Sequence, residues 1–569
     1  MLDSRTARLV ALARGGALSR RQVVETGLRL GLATPVIAGL MAAAPEAAAA
    51  MPKRRPFARQ DGGSGGTFTV LISVGTEDID PHFSYATLSS TIALCAYDML
   101  VAYQDDSTTE IEPMLAESWQ VSDDQSTYTF KLRPNAVFHD GTPCDAQAVK
   151  DAYTRWLELG GAVVQVIGRF VETAEQMEVV DPATIRFNLG RPQPLFLPAM
   201  ASQYGPSVIS PTAIRENASD EDPYAHEFFL ANAVGTGPYR LVSNSISEGL
   251  VLERFEDYWR GWDENAGFDQ VIFRVVPENA TRRQLLEQGE AQAAAFNLTL
   301  DAIDALRQNP AVVVVEYPTT SVSWAVLNAV RLPVAARQGL SHAFPYDEVQ
   351  QSVFGGLLKR TGPLADNVVG YDPDVFLFQT DLERAKELLL GAGLAGGEVF
   401  EYMFDANDER ETTIAQLFQA NVQQMGFDLE LISVDYATVE STIFGDQPAE
   451  EKPHLIGGWG WWPDYNDPWS QLAPNFTEVN IGNGGSNAGA WTNLRFEEIM
   501  AEAEVFTDEA RLIELMEEAQ NILTEQDPPA IYYGQIVRYT VLAKDIQGFV
   551  PNPLYLDGFN IWDMSRASS

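Results

Sequence analysis

The chain has 569 residues, 46% of them hydrophobic, with 28 Phe and a formal net charge of −41 at pH 7. That length exceeds one core, since about 150 residues per domain implies two to four domains, and the apolar content can fill them. A charge this negative argues against nucleic acid or an anionic membrane surface as partner, and the two cysteines, Cys95 and Cys144, allow one disulfide but no four-cysteine metal site.

Residues 1–50 read as a cleaved export leader. Ser19-Arg20-Arg21-Gln22-Val23-Val24 precedes an apolar, Ala- and Gly-rich run over 28–44 that contains Pro35. The run is short for a membrane span, which needs about 20 residues. Small-residue sites suited to cleavage follow at Ala42-Ala43-Ala44 and Ala47-Ala48-Ala49. The paired Arg resembles a twin-arginine leader, with Val23 and Glu25 departing from the usual pattern. Residues 51–66 form a basic, then Gly-rich, flexible linker. From Thr67 onward, period-2 segments predict strands over 67–74, 127–132, 184–189, 249–255 and 428–434. Apolar spacing of three and four predicts helices over 89–100, 279–289, 301–308, 382–390 and 411–425, and a long helical region over 496–526 broken near Thr507-Asp508. Strands and helices intermingle throughout, so the fold class is α/β.

The densest chemical signal lies at Gly457-Gly458-Trp459-Gly460-Trp461-Trp462-Pro463-Asp464-Tyr465-Asn466-Asp467-Pro468-Trp469. Aromatic faces with an embedded carboxylate describe the wall of a small-molecule pocket that pairs a cationic group away from water. Enzyme signatures are missing from the sequence: no phosphate-loop pattern, no paired zinc-binding histidines, and a nucleophile-elbow-like Gly484-Gly485-Ser486-Asn487-Ala488 that fails at its last position. No catalytic or metal-ligating residue is assigned, and no cofactor is expected.

Five motifs then fall in order along the chain: Asp80-Pro81-His82, Pro113-Met114-Leu115-Ala116-Glu117-Ser118-Trp119, Phe138-His139-Asp140-Gly141-Thr142-Pro143 after Tyr128 to Arg133, Gly235-Thr236-Gly237-Pro238-Tyr239-Arg240, and Asp257-Tyr258-Trp259. With them the chain resembles the extracytoplasmic solute-binding proteins of ABC importers, in the peptide/nickel group of oligopeptide- and dipeptide-binding proteins. One departure is Gln292, where the family usually has Asp.

The resemblance implies a two-lobed clamshell with mixed sheets and an inserted subdomain. The first lobe would span 67–317, with the insertion at about 101–205. The second would span 318–530, and 531–569 would return to the first. It implies a monomer outside the cytoplasm that takes a peptide or other small-molecule ligand and meets the membrane permease of an ABC importer. Asp464 matches the family residue that pairs a ligand α-ammonium. Trp459, Trp461, Trp462 and Tyr465 would line the same wall, and Trp324 an early strand of the second lobe. Asp467, before Pro468, fits a turn or helix cap. Arg331, Arg337 and Lys359 are candidates for a ligand carboxylate. The alternative solutes are an oligosaccharide, an opine or a metal complex, and the alternative class is an exported hydrolase.

Overall fold

Residues 65–567 are described by the structure, a computed structural model, apart from 263–266, 295–297, 483–484, 507 and 557. The expected leader and all but the last two residues of the linker lie outside them. Gly63–Ser569 forms one compact unit. Its strands in chain order are β1 (Thr67–Ile72), β2 (Val101–Tyr103), β3 (Ile111–Pro113), β4 (Ala116–Val121), β5 (Thr127–Leu132), β6 (Met177–Asp181), β7 (Thr184–Asn188), β8 (Tyr239–Ser245), β9 (Gly249–Arg254), β10 (Gln270–Val275), β11 (Ala293–Ala294), β12 (Val312–Leu327), β13 (Leu358–Lys359), β14 (Val399–Asp405), β15 (Asp428–Val434), β16 (Leu455–Trp461) and β17 (Ala530–Ala543).

The main sheet runs β15-β14-β16-β12-β17-β11-β1-β10-β9-β8, with β13 beside β17. Parallel pairs (β1 with β10, β14 with β15) sit among antiparallel ones, so the sheet is mixed. Two strands much longer than the rest, β12 and β17, join its halves. Val312 to Pro318 pairs with Ala543 to Val537, and Val322 to Val326 pairs with Gln535 to Ala530. The ladder slips between Pro318 and Val322, because Pro318 has no N–H to donate and its ring fixes the backbone. Side chains replace the lost bonds. Gln535, fully buried, donates Nε2 to Thr319 O at 2.7 Å, and Thr319 Oγ1 donates to Ile536 O at 2.8 Å.

Separate cores flank the halves. Around β1, β9 and β10 lie Phe68, Val70, Tyr239, Leu252 and Phe273. Around β14 and β16 lie Tyr402, Phe418, Leu429 and Leu455, with Trp324, Trp459, Trp491 and Leu515 in a neighbouring cluster. A further core, with Phe130, Trp156, Phe187 and Phe196, covers the antiparallel sheet β4-β5-β7-β6. Each large side chain of this kind contributes about 1.5–3 kcal/mol on burial.

The five motifs turn out to be fastenings of the scaffold. Asp80, with no exposed surface, takes two bonds from the Arg155 guanidinium, at 3.0 and 2.5 Å, and one from His226 Nδ1 at 3.0 Å. Those partners hold its carboxyl far below the usual carboxylate range against the cost of burial. His82 is buried and neutral, its pKa pushed down to about 3 by burial and by Arg155. Asp98 collects Thr236 Oγ1 at 3.0 Å, Tyr258 OH at 3.2 Å and Trp259 Nε1 at 2.9 Å, tying two motifs together. His139 reaches the carbonyl of Gly237 at 2.9 Å. Gln292 joins the sheet through Thr69 N–H, 2.9 Å from its Oε1. The two cysteines do not meet: both are free and buried.

Removing one partner of a buried pair leaves the other charge uncompensated. Asp80→Asn is expected to destabilise the fold by about 3–5 kcal/mol at pH 7 in urea unfolding. Because the folded Asp80 pKa is depressed, that loss is full above the unfolded carboxylate pKa of about 4 and shrinks as the pH falls below it. A loss under about 1 kcal/mol, the level of an exposed pair, would show the pair to be dispensable.

Candidate ligand-binding site

The Trp-rich stretch becomes a strand, a loop and a helix. Its Gly residues allow β16 to run close to its neighbours: a Cβ on Gly457 would fall 2.0 Å from the Tyr402 hydroxyl, and Gly458, at φ +70°, lies over the Glu411 side chain. Glu411 has no cation beside it, and burial pushes its pKa up to about 8, so a neutral acid lies under the strand. After the loop 462–467, the helix Pro468–Phe476 begins with Pro at its first position. Asp467 is its N-cap, accepting from Trp469 N and Ser470 N at 3.2 Å each. Asp467 has the capping role its place before Pro468 suggests.

Ser470 then positions the loop. Its carbonyl takes the Trp461 indole N–H at 3.1 Å, and its Oγ takes Asp464 N–H at 3.3 Å. The Asp464 side chain points at the other half of the molecule, where Tyr85, just ahead of the helix Thr87–Ala96, donates its phenol to Oδ1. Tyr85 is stacked on Tyr204, with centroids 4.3 Å apart and planes at 28°. Burial raises the Asp464 pKa to about 6, with the phenol pulling the other way. Among the described residues no cation pairs with Asp464.

The rest of the loop grips the same half. Tyr465 is buried in the core of the β4–β7 region, 6.3 Å from Phe170. Asn466 N–H meets Tyr103 OH at 3.3 Å, and its Nδ2 donates to Thr108 Oγ1 at 2.8 Å and Asn367 O at 3.3 Å. Its Oδ1 accepts Val369 N–H at 3.0 Å. Asn367 Oδ1 in turn accepts from Gln535, 3.3 Å away, at the slipped ladder. Arg169 lies over the Trp469 ring at 4.1 Å.

The expected wall is therefore divided. Asp464, Trp461, Trp462 and Tyr465 belong to the loop or its edge, and Trp461 and Trp462 are half-buried. Trp459 and Trp324 face each other across the β16–β12 ladder and fill the second core. Trp324 is 1% exposed between Phe476 and Tyr532, and Trp459 packs edge-on to Phe444 at 5.4 Å. The three candidate cations are all engaged within the protein: Arg331 pairs with Glu401, Arg337 with Asp527 at 2.6 Å, and Lys359 with Asp366. Tyr85, Tyr103, Thr108 and Asn367 escaped sequence reasoning, since nothing local marks them; only chain folding brings residues separated by 379 positions, Tyr85 and Asp464, together.

Two half-sheets joined by paired crossover strands, with a polar loop of one engaging the other, define a two-lobed binding-protein clamshell. The comparisons name the family. The model of bacterial extracellular solute-binding proteins, family 5 Middle, matches residues 110–483, and the chain belongs to that family. The probable D,D-dipeptide-binding periplasmic protein DdpA of Escherichia coli is 28% identical, the match covering 86% of this chain and 92% of its own. Heme-binding protein A of Haemophilus influenzae is 26% identical, over 81% and 86%. Among solved structures, the periplasmic binding protein DppA from Helicobacter pylori in complex with peptide STSA superposes with a TM-score of 0.75 at 23% identity, over 89% and 99% of the two chains. HbpA2 from Haemophilus parasuis gives 0.72 at 25% identity, over 88% and 100%.

Asn466 makes its contacts to Tyr103 and Thr108 only while the lobes are together. Asn466→Ala is expected to shift the ligand-free protein toward an open form by about 1 kcal/mol per side-chain bond lost. Small-angle scattering would read this as a larger radius of gyration than that of the parent. An unchanged radius would show that Asn466 does not help to hold the lobes together.

Proposed function

We propose that the chain captures a peptide, or another amine-bearing solute, between its lobes outside the cytoplasm and delivers it to the membrane permease of an ABC importer. In this reading the lobes are 67–317, with an insertion at about 101–205, and 318–530, with 531–569 returning to the first. The hinge lies where β12 and β17 slip at Pro318–Val322. The protein acts as a monomer, exported by its leader, and performs no catalysis.

The observation that carries the proposal is Asp464. A carboxylate among aromatic rings, held by one neutral phenol and no cation, is incompletely compensated, and a ligand ammonium completes it. Closure then follows from differential contact, because a ligand on Asp464 also touches the lobe that carries Tyr85. The relatives whose names or bound ligands are peptides support the same class. An oligosaccharide is less well served, since two of the Trp rings expected to stack on it are core residues. Heme, the ligand named for another relative, brings acidic propionates and no ammonium to match Asp464.

Native mass spectrometry of the chain from residue 51, purified without denaturation, tests the class of solute directly. A ladder of bound peptide masses supports the proposal, and a single non-peptide mass overturns the solute. Asp464→Ala is expected to weaken peptide binding by about 3–5 kcal/mol, roughly 10²–10³-fold, with the unfolding midpoint preserved; unchanged affinity would remove Asp464 from the site. Affinity for an amine should fall as the pH drops through about 6, because protonation removes the charge that the ammonium needs. Conversely, the raised Asp464 pKa favours the ligand-free fold at low pH and withdraws that contribution as the pH rises through about 6.

A further inference from the structure

The two oxygens of Asp464 are not equivalent. Oδ1 accepts the Tyr85 phenol, while Oδ2 has no hydrogen-bond partner among the described residues. The phenol is held in place twice over. Its ring is stacked on Tyr204, itself buried, and its backbone leads directly into the helix Thr87–Ala96. The carboxylate is held as firmly, since Ser470 takes the Asp464 N–H and the preceding Trp461 indole. Neither group can swing aside without breaking a stack or a loop anchor.

This leaves a carboxylate with one free oxygen, and the two biological cations that pair with carboxylates use oxygens differently. An ammonium is a compact point charge whose three donors spread in different directions, so it pairs well with one oxygen. A guanidinium is planar and forms its strongest pair by laying two parallel N–H bonds across both oxygens. Only by displacing the phenol could it do so here, and the phenol would then lose its acceptor in a buried setting.

From this geometry we infer that Tyr85 is a specificity-determining residue, which blocks one oxygen of Asp464 and so restricts the site to ligands with a primary ammonium, excluding guanidinium-terminated ones. The inference rests on the reading of Asp464 as the residue that takes the ligand cation. It deepens that reading by naming the chemistry of the cation and the group on the opposite lobe that selects it.

The test uses an equimolar dipeptide library and the same library with each N-terminal amine converted to a guanidine, offered together to the chain from residue 51. Captured masses are read by native mass spectrometry. The parent protein is expected to prefer the amine form by at least about tenfold, a difference of about 1.4 kcal/mol. Tyr85→Phe keeps the ring and its stack but removes the phenol oxygen, and is expected to lose most of that preference by gaining the guanidinylated form. An equal preference in the parent and in Tyr85→Phe overturns the role of Tyr85. So does a parent with no preference at all, a result that does not depend on the variant folding. Asp464→Asn separates the underlying reading: capture of the amine library undiminished in that variant means Asp464 does not hold the cation, and the inference falls with it. Capture of neither library by the parent rejects the amine class altogether.

Discussion

The ladder shared by β12 and β17 is the constraint on which everything else depends. Two strands of 16 and 14 residues are continuous through both halves of the molecule, so each half has its own core yet neither can leave the other. The ladder slips where Pro318 deprives it of a donor, and Gln535 and Thr319 close the gap with side-chain bonds. Such a junction can bend, because side-chain bonds reorganise more readily than a backbone ladder, while the paired strands on either side keep the lobes in register.

The buried polar groups divide into two kinds. Asp80, with Arg155 and His226, is a compensated charge that fastens a loop, a helix and a turn of the first half. Asp98 does the same with neutral donors, joining the motifs around Thr236 and Trp259. Asp464 differs from both, having one neutral donor, no cation and a position where the two halves meet. The contrast is what gives Asp464 functional weight: a scaffold carboxylate is satisfied by its own chain, whereas this one is only partly satisfied until something else arrives.

The loop that carries Asp464 also explains how ligand and closure are coupled. Tyr465 and Asn466, on the same few residues, bury a ring in the opposite half and bond to Tyr103 and Thr108. Asn367 passes the connection to Gln535 at the slipped ladder. A change at the loop is thus physically continuous with the junction that must bend, through hydrogen bonds rather than through distance alone.

Much of this molecule was legible in its sequence. The strands at 127–132 and 428–434 and the helices near 279–287 and 382–391 follow from periodicity, since alternation and three-four spacing reflect which face a residue buries. The break in the last helical region lies between Ala503 and Glu509, with Asp508 capping the second helix; Thr507 lies outside the described residues. The capping role of Asp467 is equally local. The tertiary structure alone decided which tryptophans are core and which lie at the loop, because Trp324 and Trp459 become neighbours only by pairing β12 with β16. It alone showed that Arg331, Arg337 and Lys359 are already engaged, and that Tyr85 meets Asp464. Periodicity records one residue's burial; the partner of a buried polar group is set by chain topology, and no local pattern carries that information.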